Sequence, residues 1–452
     1  MCKSRLLFGI ISLTMIALVV AGCVEPGPAT PIPVPPPEPA PVPTPTPAPI
    51  PMSIGIVHSE KQRVTSPDVS EADLATLADG NSAFAFDLYQ ALRGEEGNLF
   101  YSPYSISLAL AMTYAGARSE TEQQMADAFH FILSQDRLHP AFNGLDIELG
   151  KRGEGAKGKD GEGFRLNVVN AIWGQKDYHF LPTFLDLLAE NYDAGLRTLD
   201  FAEAPEYSRV TINEWVSNQT EGRIEDLIPQ DLINTLTRLV LTNAIYFNAA
   251  WQYPFEEDAT DDGTFYLLNG DELTVPMMRQ TESFGYFEGD DYQAIDLPYD
   301  GRELSMVILL PQAGQFGAFE ASLDAEQVEA IVGRLKHEQV NLTMPRFGYE
   351  SSFVLKKALT TMGMPVAFSS NADFSGMTGN RDLFIADVVH KAFVSVDEAG
   401  TEAAAATAMM MQLTAAPGMP VIVKVDRPFI FLIRDIETGE IIFIGRVVNP
   451  SA

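Results

Sequence analysis

The sequence is poor in two residue classes, cysteine and the basic residues. Only Cys2 and Cys23 occur among 452 residues. Because we expect Cys2 to leave with a secretory signal, no disulfide can form within the mature chain, and packing alone must hold the fold. Lys and Arg together number 30, against 61 Asp and Glu. Such an acidic surface repels nucleic acid, so no nucleic-acid partner is predicted, although the charge does not identify another partner.

The sequence also lacks the patterns of a catalytic or metal site. It contains no G-x-S-x-G, P-loop or H-E-x-x-H motif, and its six histidines are scattered. Residues 153–158 match the dinucleotide string G-x-G-x-x-G. They lie in a charged, glycine-rich stretch with no strand immediately before it and no helix after it, so nucleotide binding is not predicted. We therefore predict no cofactor, no metal and no enzymatic activity.

The first residues predict export and lipid anchoring. Lys3 and Arg5 precede an apolar run over 6–20 that ends in small residues, so residues 1–22 are predicted to be a signal peptide. The string Val20-Ala21-Gly22-Cys23 resembles a bacterial lipobox, which would make Cys23 the lipidated first residue of an envelope protein facing away from the cytoplasm. The alternatives are a transmembrane anchor, for which the run is short, or an ordinary signal with an incidental cysteine.

A proline-rich segment follows the predicted signal. Fourteen of the 26 residues from 26 to 51 are proline, a composition that cannot form a core and favours polyproline II, about 80 Å long at ~3.1 Å per residue. Residues 23–69 are therefore predicted to be a lipidated stalk or linker, and residues 70–452 the folded domain. Loss of residues 1–22 would change the formal charge to 28 minus 61, or −33.

Residues 70–452 mix strand and helix patterns without regular βαβ alternation, which predicts an α+β fold with large antiparallel or mixed sheets. Ser70 and Ser102-Pro103 are typical helix starts. The string Ser119-Glu120-Thr121-Glu122 is predicted to be a capping box. Length alone favours two or more domains, but we find no linker that divides residues 70–452.

One late segment dominates the functional interpretation. Residues 387–397 alternate like a strand, and a run of small residues follows up to Ala408. Local propensity favours a short surface helix for this second part. As a strand, it would instead place Thr401, Ala403, Ala405 and Thr407 on one face and its only charge, Glu402, on the other. Small side chains suit a strand that must enter a packed sheet.

This segment resembles the hinge of an inhibitory serpin. The resemblance rests on the hinge residues Glu398, Gly400, Thr401, Glu402, Ala403, Ala404, Ala405, Ala406 and Thr407. It is supported by separate motifs in the same order, at 242–247 with Trp251, 297–299, 372–377, 427–429 and 445–450. The family resemblance covers about residues 70–452. It implies one domain with three β-sheets, a large central sheet A, eight or nine helices and an exposed reactive loop.

The resemblance also assigns roles to separate residues. Ser102, Ser105, Asn243 and His390 fall where the family has a polar cluster that lets the central sheet open. Trp251 and Glu398 fall near the point where the loop first enters. For His390 alone, an ordinary hydrogen-bonded core histidine is the competing interpretation, and here it nearly coincides with the family role.

The implied function is suicide-substrate inhibition of a serine protease, or alternatively of a cysteine protease. The cleaved loop would insert into the central sheet and trap a covalent acyl complex between a monomeric inhibitor and its target. Counting forward from Glu398 places the reactive bond at Thr414–Ala415, with Leu413, Ala416 and Pro417 beside it. Counting backward from Arg427 gives Pro417 instead, so the loop is three residues longer than the common form.

The residues beside the predicted bond limit the choice of target. They are small or apolar, which favours elastase-, subtilisin- or chymotrypsin-like enzymes over trypsin-like ones. The alternative function is a non-inhibitory binding or scaffold protein on the same fold, displayed at the cell surface. Such proteins usually carry bulky or charged hinges, unlike this one.

Overall fold

The computed structural model describes residues 54–154, 156, 165–401 and 419–451. Met52–Ala452 forms one compact unit that contains both helices and sheets without regular βαβ alternation. The predicted α+β class and single domain are therefore confirmed.

Ten α-helices occur in the described part of the chain, close to the predicted eight or nine. They are α1 (Glu71–Leu92), α2 (Pro103–Tyr114), α3 (Ser119–Phe129), α4 (Gln135–Lys151), α5 (Pro182–Tyr192), α6 (Pro205–Gln219), α7 (Phe316–Ser322), α8 (Ala325–Val332), α9 (Lys356–Thr361) and α10 (Ser375–Thr378).

Sixteen strands occur in the same residues. They are β1 (Gly55–Val57), β2 (Leu99–Tyr101), β3 (Arg165–Gln175), β4 (Leu196–Leu199), β5 (Leu239–Ala250), β6 (Asp261–Tyr266), β7 (Glu272–Glu288), β8 (Tyr292–Pro298), β9 (Leu304–Pro311), β10 (Lys336–Pro345), β11 (Phe347–Val354), β12 (Asp387–Val396), β13 (Gly400–Thr401), β14 (Val421–Lys424), β15 (Phe429–Asp435) and β16 (Ile441–Val447).

The central sheet has seven strands in the order β1-β4-β3-β5-β13-β12-β11. Its middle strands β5 and β12 are parallel neighbours from Val240, opposite Asp387, to Ile245, opposite Ala392. Past this paired stretch the two-residue strand β13 lies between them, antiparallel to both. The sheet therefore has a position in its middle that β13 has only begun to fill.

The remaining strands form one nine-stranded hydrogen-bonded sheet, with β6 paired to the side of β7. The 17-residue strand β7 explains why the expected second and third sheets are continuous. Its first part pairs with β6, and its last part pairs with β8. One long strand thus belongs to both halves and joins them into a single network.

The core lies on both faces of the central sheet. On one face, every residue of α2 is buried, and this helix packs against β3, β5 and β16. On the other face, α6 covers a smaller apolar cluster that includes Trp173, Ile212 and Val216. The central sheet is thus enclosed by helices on both sides, which fixes the positions of its strands.

Two predicted serine caps are confirmed, whereas α3 begins at Ser119 but lacks the predicted capping box. The side chain of Ser70 accepts a hydrogen bond from the Asp73 amide, and that of Ser102 accepts one from the Ser105 amide. At α3 no side chain caps the helix. The Ser119 hydroxyl instead donates to Asp373 at 2.9 Å, a partner distant in sequence that local pattern cannot indicate.

Candidate functional site

The site begins at the start of β13, where the chain enters the central sheet. Gly400 is opposite Ala250 and Thr401 is opposite Ala249, while Thr401 also pairs with Val396 of β12. A Cβ atom on Gly400 would lie 2.1 Å from the Ala249 carbonyl oxygen. Only glycine can therefore occupy this position between the strands.

Thr401 is buried in the sheet, with 1% of its surface exposed. Its hydroxyl lies 2.7 Å from the Tyr299 hydroxyl. The Tyr299 ring stacks on Trp251 with 4.7 Å between centroids, and burial raises the pKa of Tyr299 far above its ordinary value. Thr401 thus lies in a buried environment next to two stacked aromatic rings, with its hydroxyl paired to that of Tyr299.

Glu398 anchors the turn that leads into β13. It is buried, and its carboxylate accepts hydrogen bonds from Arg346 Nε at 2.6 Å and from the Thr260 hydroxyl. Burial by itself would raise the pKa of Glu398, but these two hydrogen bonds, a backbone hydrogen bond and the charge of Arg346 together hold the pKa below its ordinary value. The carboxylate is therefore ionised and held in place at neutral pH.

Trp251 closes the same turn from the β5 side. Its amide donates to the Ala399 carbonyl at 2.8 Å, and its indole Nε1 donates to the Asp397 carbonyl at 3.0 Å. The Phe255 amide donates to the Glu398 carbonyl at 2.8 Å. Backbone and side-chain bonds together hold the start of the hinge beside the end of β5.

A second group of polar residues lies deeper, where β5 and β12 pair. The structure brings together Ser102, Ser105, Asn243 and His390, and all four are buried. His390 Nδ1 bonds to the Asn243 side-chain oxygen, and its Nε2 accepts from the Ser102 amide at 3.2 Å. Asn243 Nδ2 donates to the Ser105 hydroxyl at 2.6 Å.

These bonds connect the two middle strands to the helix beneath them. Asn243 is on β5, directly opposite His390 on β12, and both serines belong to the start of α2. Separating β5 from β12 must break the bond between Asn243 and His390. A polar cluster allows this more readily than an apolar seam, because its groups can take new hydrogen-bond partners.

Burial lowers the pKa of His390 to about 3. Because the unfolded histidine has a pKa near 6.5, acid protonates the unfolded state first. The contribution of His390 to the free energy of unfolding is therefore complete above pH 6.5, and the free energy falls as the pH drops towards 3. We expect His390→Gln to reduce this pH slope by about 1 kcal/mol per pH unit between pH 6 and pH 5, measured by urea unfolding. An unchanged slope would show that folded His390 is already a charged imidazolium in this pH range.

Sequence reasoning missed several residues of the site. Asn170 on β3 bonds with its side-chain oxygen to both Ser105 and Asn243. Arg346 and Thr260 hold Glu398, and Tyr299 holds Thr401. Tyr299 lay within a recognised motif. Asn170, Arg346 and Thr260 had no local signal, because each is remote in sequence from its partner.

The other predicted site residues lie outside the described part of the chain. They are Glu402, Ala403, Ala404, Ala405, Ala406 and Thr407 of the hinge, Leu413, Thr414, Ala415, Ala416 and Pro417 around the predicted bond, and Cys23. Within residues 54–154, 156, 165–401 and 419–451, no group of three or more His, Cys, Asp or Glu side chains could hold a metal ion. Over those same ranges, no helix is long and apolar enough to span a bilayer.

The fold and the site define an α+β protein whose central sheet holds a two-residue strand, β13, between its middle strands β5 and β12. The family model described as Serpin (serine protease inhibitor) matches residues 79–450, and the chain belongs to the serpin family.

Known relatives agree with this assignment over most of the chain. A serpin-like protein of Thermococcus kodakarensis is 43% identical over 82% of this chain and 85% of its own length. The leukocyte elastase inhibitor of Sus scrofa is 42% identical over 83% of this chain and 99% of its own. The crystal structure of the thermophilic serpin tengpin in its native state matches with a TM-score of 0.76 at 27% identity, covering 88% of this chain and 100% of that one.

Proposed function

We propose that this protein is a suicide-substrate inhibitor of serine proteases, or alternatively of cysteine proteases. The observation that carries the proposal is the position of Gly400 and Thr401 between β5 and β12. The hinge lies at the start of an unfilled strand position before any cleavage has occurred. The similarity to leukocyte elastase inhibitors supports the same class of target.

The reaction starts when the protease nucleophile attacks the carbonyl of the reactive bond, for which we propose Thr414–Ala415. An ester or thioester forms, the peptide bond breaks, and the new amine takes the proton. Water would normally release the acyl group. Trapping requires that the freed loop enter the sheet and displace the attached protease before water attacks, which distorts the protease active site.

The geometry of the hinge supports insertion. Residues 402–414 continue directly from Thr401, and 13 residues at about 3.3 Å each reach ~43 Å along a sheet. To admit this strand, β5 and β12 must separate along their paired stretch, which includes Asn243 and His390. The new strand would offer backbone hydrogen bonds to both neighbours, and these drive the insertion.

A protease panel tests this function. We expect purified full-length protein to form complexes resistant to denaturant with at least one elastase-, subtilisin- or chymotrypsin-like enzyme. Trypsin-like enzymes serve as the comparison, because the residues beside the proposed bond are not basic. Mass spectrometry of the released peptide identifies the bond. Clean cleavage by every enzyme with no stable complex would contradict inhibition and favour the non-inhibitory binding or scaffold protein.

We further propose that the inhibitor is displayed on the cell envelope, exported by residues 1–22 and anchored through lipidated Cys23. Cys23→Ser is then expected to release most of the protein from membranes into the soluble fraction without changing inhibition. Fractionation and immunoblotting measure this. Unchanged membrane retention of the variant would contradict the lipid anchor and favour a transmembrane one.

A further inference from the structure

Residues 54–69, which we term the N-terminal strap, begin at the outer edge of the central sheet, although the sequence pattern assigned them to the stalk. Strand β1 of the strap pairs antiparallel with β4, with Gly55 opposite Thr198 and Val57 opposite Leu196. The strap thus adds the outermost strand on this side of the sheet. Its later residues leave the sheet and cross two helices.

Val64 fastens the strap to α4 and α5. Its amide donates to the Glu190 carbonyl at 2.9 Å, one of the last-turn carbonyls of α5 that have no partner within the helix. Its own carbonyl accepts from Asn143 Nδ2 at 2.7 Å. Asn143 is fully buried on α4. The bond to the strap therefore satisfies a buried polar group, which would be costly to leave without a partner.

Arg63 adds a charged bond at the same place. Its Nε donates to Asn143 Oδ1 at 2.7 Å, and its guanidinium lies 2.6 Å from Asp146. The other oxygen of Asp146 accepts from the Tyr104 hydroxyl at 2.9 Å. Tyr104 belongs to α2, which is capped by Ser102 and contains Ser105 in its first turn, both members of the polar cluster. The strap is thus connected to the helix beneath the middle strands.

Insertion of a strand must widen the central sheet by about 4.8 Å, the spacing between neighbouring strands. Either β11 and β12 move, or the other half, β1-β4-β3-β5, moves across the helices beneath it. The strap is bonded both to that second half through β1 and to α4 and α5 through Arg63 and Val64. Hydrogen bonds of 2.6–2.9 Å cannot survive a displacement of that size.

We propose that the strap holds the β1-β4-β3-β5 half of the central sheet against α4 and α5, and so slows insertion of the uncleaved loop. The strap contacts exist while the sheet is closed and break when this half moves. This inference depends on the proposed function in one respect, namely that the sheet can accept the loop. It adds that a segment outside the hinge sets how long the active form lasts.

The test uses Arg63→Ala in the full-length chain. Loss of its bonds to Asn143 and Asp146 is expected to speed spontaneous conversion to the inserted form about tenfold. Each protein is incubated below its unfolding temperature, and aliquots are assayed for heat resistance and for loop cleavage by an added protease. The time course gives the rate of conversion to the inserted form. Should Arg63→Ala fail to fold, Arg63→Lys keeps the charge but loses the forked geometry, and is expected to convert about threefold faster than wild type.

Lys61→Ala is the matched control on the same segment. Lys61 Nζ lies 2.7 Å from Glu190, but the lysine side chain is 50% exposed. Exposed pairs of this kind contribute little, so the control is expected to convert at the wild-type rate. The proposal is overturned if Arg63→Ala converts at the wild-type rate. If only Arg63→Lys folds, the same result for that variant overturns it.

Cleaved proteins separate this role from a merely structural one. Because the strap contacts are already broken after insertion, cleaved Arg63→Ala and cleaved wild type are expected to unfold at the same temperature. A variant that lowers both the intact and the cleaved unfolding temperature equally would show a structural role and overturn the proposal. If cleaved wild type gains no heat resistance, both this inference and the proposed function fail. If it gains resistance but conversion rates are equal, only the strap proposal fails.

Discussion

Thr401→Arg is expected to convert the protein from an inhibitor into a plain substrate that proteases cleave and release. Thr401 is the first hinge residue whose side chain lies between β5 and β12, and it is 1% exposed. Its hydroxyl lies 2.7 Å from the Tyr299 hydroxyl. We expect an arginine here to leave the β13 position in the intact protein, because insertion would bury its guanidinium beside aromatic rings.

The size of the effect follows from the cost of a buried charge. Glu398, the hinge carboxylate in the described part of the chain, already accepts from Arg346 and Thr260. Burying an unpaired charge costs several kcal/mol. Because each 1.4 kcal/mol changes a ratio tenfold, we expect the fraction of encounters that end in a stable complex to fall at least a hundredfold. Denaturing gels of protease mixtures measure this fraction.

Thr361→Arg provides the matched control for Thr401→Arg. Thr361 ends α9 and is exposed, so the same substitution there is expected to leave complex formation unchanged. Both variants should still be cleaved in the loop. Normal complex formation by Thr401→Arg would show that the loop does not enter the sheet on the face that Thr401 occupies.

Cleavage of the loop is expected to raise the unfolding temperature of the domain by on the order of 20 °C. The insertion of residues 402–414 would add 13 residues of paired strand. At ~1 kcal/mol net for each new hydrogen bond this stabilises the domain by about 10 kcal/mol, and a domain of this size gains about two degrees per kcal/mol. Calorimetry before and after cutting by a protease that is not trapped measures the shift.

The cleaved Thr401→Arg variant serves as the comparison for this measurement. It has the same broken bond but a hinge that cannot enter, so its unfolding temperature is expected to stay near that of the intact protein. An unchanged unfolding temperature for cleaved wild type, or a crystal structure with residues 402–414 outside the sheet, would contradict insertion.

Some features of the site follow from local chemistry and were therefore predictable. The Ser102 cap needs only a serine before Pro103 and a helical pattern after it. The buried face of Thr401 follows from the period of two that any strand imposes. At α3, by contrast, the Ser119 hydroxyl donates to Asp373 and does not cap the helix amides, contrary to the prediction from its local sequence.

What the sequence by itself determined is the order of the elements, the small residues of the hinge and the type of residue at each recognised position. These depend on neighbours along the chain, because helix and strand periods, caps and steric limits act over a few residues. Only the tertiary structure decided that Arg346, Thr260 and Tyr299 hold the hinge, that Asn170 completes the polar cluster, and that residues 54–69 fasten the sheet edge. Their partners lie far away in sequence, and such contacts exist only after packing has brought the surfaces together.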